Sequence, residues 1–360
     1  MILFIDDSLV DSIATELNFN IFFQKLMVSY TEGKHIIIIS PLNVKKILTT
    51  KVLDSYSEIV LNHYSSHNKA SLEVLDLFDK IIRIIPNSEK ETIYSDMRSK
   101  KQFNNINIDR FIDTANFQKT ILLGENGNDI QVYAMMAEYH KKVTRKDSFV
   151  LSYKSQTGGG STTVNEYKTI FSTGEEFCLC LLDSDKRTPT KAIGDTAKNV
   201  EKHHLLNFNS NFKCNYHVVD VLEIENLLPR VFYLENYEKK DINKKGILNR
   251  IESFEKIDSS SYFHIDFKKG LKKMEDYNDD SFKKYWSNLS LGLQPITVDF
   301  GDGDYGYFKG YGDKIVVDFL SFEKTEVFKF VDEDNISKKW SEIGKKLSSY
   351  IYGTPKVRVI

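Results

Sequence analysis

The chain has 360 residues, 41% of them hydrophobic, and a formal net charge of −2. That length suits two or three domains with ordinary apolar cores. The near-neutral balance excludes a global basic field, so any nucleic-acid binding has to use local patches.

The first segment, MILFIDDS, lacks the basic n-region of a signal peptide. The runs at 2–5 (ILFI) and 36–39 (IIII) read as buried strands, too short for helices. Between them Leu9, Ile13, Leu17 and Phe22 or Phe23 recur at helical spacing. Pro41 suits the first turn of a second helix through Val44, Ile47 and Leu48. A third helix is expected over about 69–81, ahead of a strand at IIRIIP. Strands alternating with helices predict a small Rossmann-like or PIN-like α/β domain over residues 1–105. Asp6 and Asp7 follow its first strand, but Glu73, Asp76 and Asp96 lack the spacing of a PIN site, which favours an interaction module.

The middle of the chain repeats this pattern. TILLGE (120–125) is a strand, NGND a turn, and DIQVYAMMAEYHKK a helix capped by Asn128 or Asp129. FVLSYKS is a second strand, followed by the glycines 158, 159 and 160 and the helix VNEYKTIF. FCLCLLD is a third strand, whose alternating Cys178 and Cys180 read as small core residues; with Cys214 they are too few and too oddly placed for a disulfide framework. A fourth strand runs from Lys213 to Val221. This is an open parallel sheet, in which ligands collect beyond the carboxyl ends of the strands. After Pro229, paired lysines alternate with aromatics, helices are expected to about residue 290, a hairpin in GDGDYGYFKGYGDKIVVDFL, and a last helix from Ser337 to Tyr350. No apolar stretch approaches the ~20 residues of a membrane span. The expectation is a soluble, cytoplasmic protein.

Acidic residues gather at the ends of the central strands. Glu125 ends the first and Asp129 follows at a helix start; Asp183 and Asp185 end the third; Glu223 and Glu225 follow the fourth. Alternating residues on an extended backbone face the same side, so each acidic pair points one way. Carboxylates that close repel unless a cation lies between them, and hard ions such as Mg²⁺ or Mn²⁺ take oxygen ligands.

This order of motifs resembles the TOPRIM domain of topoisomerases, primases and nucleases, and within it the OLD-type and related defence nucleases. The resemblance covers about residues 117–230 and rests on four motifs. These are Glu125-Asn126-Gly127-Asn128-Asp129, Gly158-Gly159-Gly160, Asp183-Ser184-Asp185 and Glu223-Ile224-Glu225-Asn226. The first glycine stands one place later than in the family pattern, while the Glu-to-Asp spacing is kept. The resemblance implies a nuclease that cleaves DNA or RNA with one or two Mg²⁺ or Mn²⁺ ions. Asp183, Asp185 and Glu125 would serve the main metal, with Glu125 alternatively an acid–base group. Asp129 and Glu225, or Glu223, would serve a second. Lys186, ahead of Arg187 or Lys191, would offset charge on the phosphate. The chain lacks the P-loop motif, zinc-ribbon cysteines and other topoisomerase domains. The resemblance therefore implies an anti-phage effector working in a complex or oligomer with a separate ATPase or sensor.

Plainer readings stand beside these. Asp129 is also a preferred helix cap, Glu223 and Glu225 suit a solvated edge, and the three glycines suit a simple turn. The Lys-aromatic region, 231–360, suits a solvated helix face over a buried stripe as well as a partner or nucleic-acid contact. His203 and His204 lack zinc companions and are expected at the surface; His217 and His264 read as core or boundary residues. The alternative function is a catalytically silent TOPRIM-fold protein used for binding or assembly.

Overall fold

The computed structural model describes residues 1–67, 72–97, 100–274, 277–291, 296–297 and 305–358. They form two compact units. The first comprises Met1–Cys180, Lys202–Tyr216 and Ser341–Ile360; the second comprises Leu181–Glu201 and His217–Trp340. The three-part division expected along the chain follows its motifs, whereas these units follow spatial packing, and the unit boundaries fall inside strands and helices.

In the first unit β1 (Ile2–Ile5) leads into α1 (Asp7–Asp11) and α2 (Phe19–Thr31). The apolar spacing predicts one helix here, but residues 12–18 turn between two. The Ser12 hydroxyl and amide both bond back to the Ser8 carbonyl, and Thr15 bonds to Ser12, local bonding that competes with continued helix. β2 (Ile36–Ile38) and α3 (Pro41–Thr50) follow, with Pro41 in the first turn and the Ser40 hydroxyl capping the Asn43 amide at 3.1 Å. The next helix, α4 (Ser55–His67), is not apparent in the sequence, because only Val60, Leu61 and Tyr64 give it a buried apolar stripe. The helix expected over about 69–81 is, within the described residues, a short 3₁₀ turn at Glu73–Leu77. It gives way to β3 (Lys80–Ile85), β4 (Thr92–Asp96) and β5 (Lys101–Asn107). The sheet order is β2-β1-β3-β5-β4, parallel except for the edge strand β4. Ile2, Leu3, Ile81, Ile82, Ile84 and Ile85 are all buried, as strands covered on both faces require. Asp6 caps α1 through the Ser8 amide at 3.0 Å and pairs with Arg83. Both interactions are structural.

A second sheet contains β6 (Thr120–Gly124). α5 (Gly127–Val143) follows it. The strand expected in FVLSYKS is split into β7 (Val150–Leu151) and β8 (Tyr153–Thr157). Then come α6 (Thr163–Thr173), β9 (Cys178–Asp183), α7 (Asp195–Asn207) and β10 (Cys214–Val219). The order is β10-β9-β6-β8, with β6 parallel to both β8 and β9. All three cysteines are free and buried. His203 and His204 are half-buried rather than fully at the surface; both rings pack against Phe171, and His204 Nδ1 lies 2.7 Å from the Tyr167 hydroxyl.

The second unit carries α8 (Arg230–Tyr233), α9 (Ile247–Glu255), β11 (Gly270–Lys272), α10 (Asp280–Leu289), β12 (Ile296–Thr297) and β13 (Tyr305–Lys309). β13 lies antiparallel between β11 and β12. Residues 301–304 of the expected hairpin lie outside the described residues. Its second half is helical: α11 (Ile315–Leu320) buries Ile315, Val316 and Phe319, the spacing of a helix face, while the apolar run IVV in the sequence does not by itself separate helix from strand. α12 (Lys324–Asp332) and the start of α13 (Ser337–Ile351) follow; the rest of α13 and β14 (Tyr352–Gly353) belong to the first unit, where β14 pairs antiparallel with β7. Among the described residues no helix is long and apolar enough to cross a membrane.

Candidate functional site

Two of the four motifs meet within the first unit. Glu125 is the first residue past β6, and Asn126, not Asn128 or Asp129, caps α5, its side-chain oxygen accepting from the Asn128 amide at 3.0 Å. Asp129 instead lies in the first turn, where the positive end of the helix dipole stabilises a negative charge. The glycine turn after β8 closes onto this junction: the Gly158 amide donates to the Gly124 carbonyl at 3.0 Å, and the Gly159 amide to the Glu125 carbonyl at 3.1 Å. Gly158 is required by close approach, since a Cβ there would stand 2.2 Å from Thr163 Cα. Burial pushes the Cys180 thiol far up, and the Glu125 charge adds to the effect. The carboxylate is thus felt across the neighbouring strand.

The other two motifs meet within the second unit. Past Asp183 the chain turns sharply. Ser184 donates to the Val221 carbonyl from its amide at 3.1 Å and its hydroxyl at 2.6 Å; the Asp185 amide donates to the Leu222 carbonyl at 3.2 Å. The Ile224 amide donates to Asp183 Oδ2 at 3.0 Å. The loop with Glu223 and Glu225 is therefore stitched to the loop with Asp183 and Asp185. Asp185 has φ 54°, a left-handed conformation costly for a side-chain-bearing residue. Its carboxylate lies over Gly194, where a Cβ would stand 2.1 Å from Asp185 Oδ2. Protein atoms around the exposed Asp185 displace water and raise its pKa, Arg187 and Lys268 pull it down, and Asp195 pushes it up.

Lys268 is the residue that sequence reasoning missed. Its Nζ stands 3.0 Å from Glu223 Oε2 and 3.2 Å from Glu225 Oε1. Burial alone would lower its pKa, but the two carboxylates outweigh burial and hold it above the usual lysine range. Glu223 is raised by burial, and the charge of Glu225 adds to that while Lys268 opposes it. Glu225 is buried, and its Oε2 has no hydrogen-bond donor. Paired lysines along this region are visible in the sequence, but nothing local marks the one that meets these glutamates. Lys186 reaches Asp220, its Nζ 2.9 Å from Oδ1. His264 is buried and bonds through Nδ1 to the Lys186 carbonyl at 2.8 Å, which requires the proton on Nδ1.

The donor chemistry suits a hard divalent cation in part. Carboxylate oxygens are the right type, and Glu225 Oε2 is a buried acceptor awaiting a partner. Yet Lys268 already supplies the glutamates with a cation, and among the described residues no three His, Cys, Asp or Glu side chains are grouped so as to hold a metal ion. The class so defined is an α/β protein with a parallel-strand sheet and an acidic turn past a strand end. Comparison with protein-family models, characterised proteins and solved structures finds no match.

Proposed function

We propose that this chain is a divalent-metal-dependent nuclease acting on DNA or RNA. The observation that carries the reading is the stitching of the Asp183–Asp185 turn to the Glu223–Glu225 loop, which gathers hard oxygen donors beside cationic side chains. Asp183, Asp185 and Glu225 are the residues that would hold the metal. A bound ion would activate water and stabilise the leaving oxygen. Lys186 and Arg187 follow the turn and bring positive charge to a phosphate. The resemblance also gives Glu125 a role as ligand or acid–base group and Asp129 a role at a second metal. The anti-phage role, with a trigger taken from a separate ATPase or sensor, rests on the resemblance to defence nucleases.

Incubation with plasmid, linear DNA and total tRNA, with Mg²⁺ or Mn²⁺ and with EDTA, tests the reading. Cleavage of at least one substrate is expected, lost in EDTA, in Asp183→Ala and in Glu125→Gln, with circular dichroism unchanged. Cleavage that survives Asp183→Ala refutes it.

The Lys268 ion pair favours a second reading, a catalytically silent protein used for binding or assembly. A built-in ammonium neutralises the glutamates without a metal. Calorimetric titration with Mn²⁺ near neutral pH separates the two: no saturable binding selects the second.

A further inference from the structure

The second unit contains a cavity of about 820 Å³ lined by α9, β11, α10 and β13 and by the loops around them. Its size is that of a small-ligand pocket. Eight lysines and arginines line it against two aspartates. Six of these cations, Arg187, Lys244, Lys245, Arg250, Lys269 and Lys309, form no ion pair among the described residues. The two acids offset only two of these eight charges, and each also holds a backbone amide through one oxygen. Asp241 Oδ1 accepts from Asn243 at 2.9 Å, and Asp266 Oδ1 accepts from Lys269 at 2.8 Å.

The wall that carries these charges is built. Trp286 is buried against Phe254 and Phe282, and its Nε1 donates to the Arg187 carbonyl at 3.1 Å, which anchors Arg187 at the cavity. Lys244 is aimed by the Tyr311 carbonyl at 3.0 Å and by the Tyr237 ring, 4.5 Å from its centroid. Like charges crowded on a concave wall cost free energy unless an anion enters, and the same shape concentrates anions from solution. Two guanidinium groups, Arg187 and Arg250, add the planar fork that matches phosphate oxygens.

We infer that this cavity binds a phosphate-bearing polyanion of nucleotide size, either a free nucleotide or the terminal nucleotides of a single strand. The inference stands apart from the cleavage reading, because binding is measured with the metal removed. The full-length chain is titrated in EDTA against a fluorescent 12-nucleotide DNA strand, by anisotropy, at several salt concentrations. Unlabelled ATP, AMP and duplex DNA serve as competitors.

The fluorescent strand is expected to bind, with log affinity falling linearly with log salt. Lys269→Ala/Lys309→Ala, at two exposed positions, should weaken binding about tenfold and flatten the salt slope by about 0.7 for each phosphate that is no longer neutralised. Arg250→Gln should weaken it separately. Lys256→Ala, outside the cavity, should bind as the native chain does. Displacement by ATP at matched concentration assigns the cavity to free nucleotides; displacement only by strands assigns it to chain ends, and either supports the inference. Failure to bind strand or ATP at low salt overturns it, as does native affinity in both cavity variants with unchanged thermal melting. A chain that binds in EDTA but cuts no substrate with Mg²⁺ or Mn²⁺ counts against the nuclease reading and leaves this one standing.

Discussion

Lys268 decides how the acidic loop is stabilised. A buried carboxylate is tolerated when a cation meets it, and removing one partner of such a pair leaves the other uncompensated. Lys268→Met should therefore destabilise the protein by about 2 kcal/mol, less than for a fully buried pair because its side chain keeps 28% exposure. Adding Glu225→Gln should restore part of that loss, since a neutral amide needs no countercharge. Chemical denaturation of the single and double variants measures this. Equal loss in both would mean that Lys268 acts through packing alone. Asp185 is a second residue at which two requirements meet. It accepts a left-handed backbone, and it needs a glycine opposite. Strain of this kind persists only where the surroundings impose it.

At the scale of elements, the junction from β6 into α5 is held by a cap on one side and a glycine turn on the other. Asn126→Ala removes the cap and should cost about 1 kcal/mol. Gly158→Ala drives a methyl group into Thr163 and should cost about 1–3 kcal/mol by overpacking. Urea unfolding measures both, and the glycine variant is expected to be the worse. A reversed order would show that the turn yields more easily than its close packing suggests. The corresponding junction past β9 has no helix cap at the acidic turn. There Ser184 does the holding, through an amide and a hydroxyl on one carbonyl.

At the scale of the molecule, stability depends on pH through histidines of the first unit, His140 buried and His204 half-buried. Burial lowers His140 to about 4, with Lys146 and Lys345 adding to it, and burial lowers His204 to about 4 as well. An unfolded histidine titrates near 6.5. Between pH 6.5 and 4 the unfolded chain thus binds more protons than the folded one, and stability falls as pH falls through that window. Above pH 6.5 the contribution is complete. Each histidine should cost on the order of 1 kcal/mol at pH 4, after allowance for solvent screening. Thermal melts from pH 7 to 4 should show the decline, and His140→Gln/His204→Gln should flatten it. An unchanged slope in that variant would assign the acid sensitivity to other groups, the fully buried His35, which burial also holds low, or carboxylates.

Local pattern was enough to place the strands ILFI, IIRIIP, TILLG and CLCLLD. A strand covered on both faces must be apolar throughout, and such runs are readable without any partner. The same pattern located Asp183 at the end of a strand and Glu125 and Asp185 just past one, because the apolar run stops where the backbone leaves the sheet. Packing between distant segments decided the rest. FVLSYKS is broken because β14, some two hundred residues later in the chain, pairs with its first part. α4 exists because three residues find a buried surface. Lys268 meets Glu225, and six unpaired cations share one cavity, only once the chain has folded. Periodicity records which side of an element is buried, whereas the identity of a charge's partner is a property of distance in space, which the order of residues along the chain does not carry.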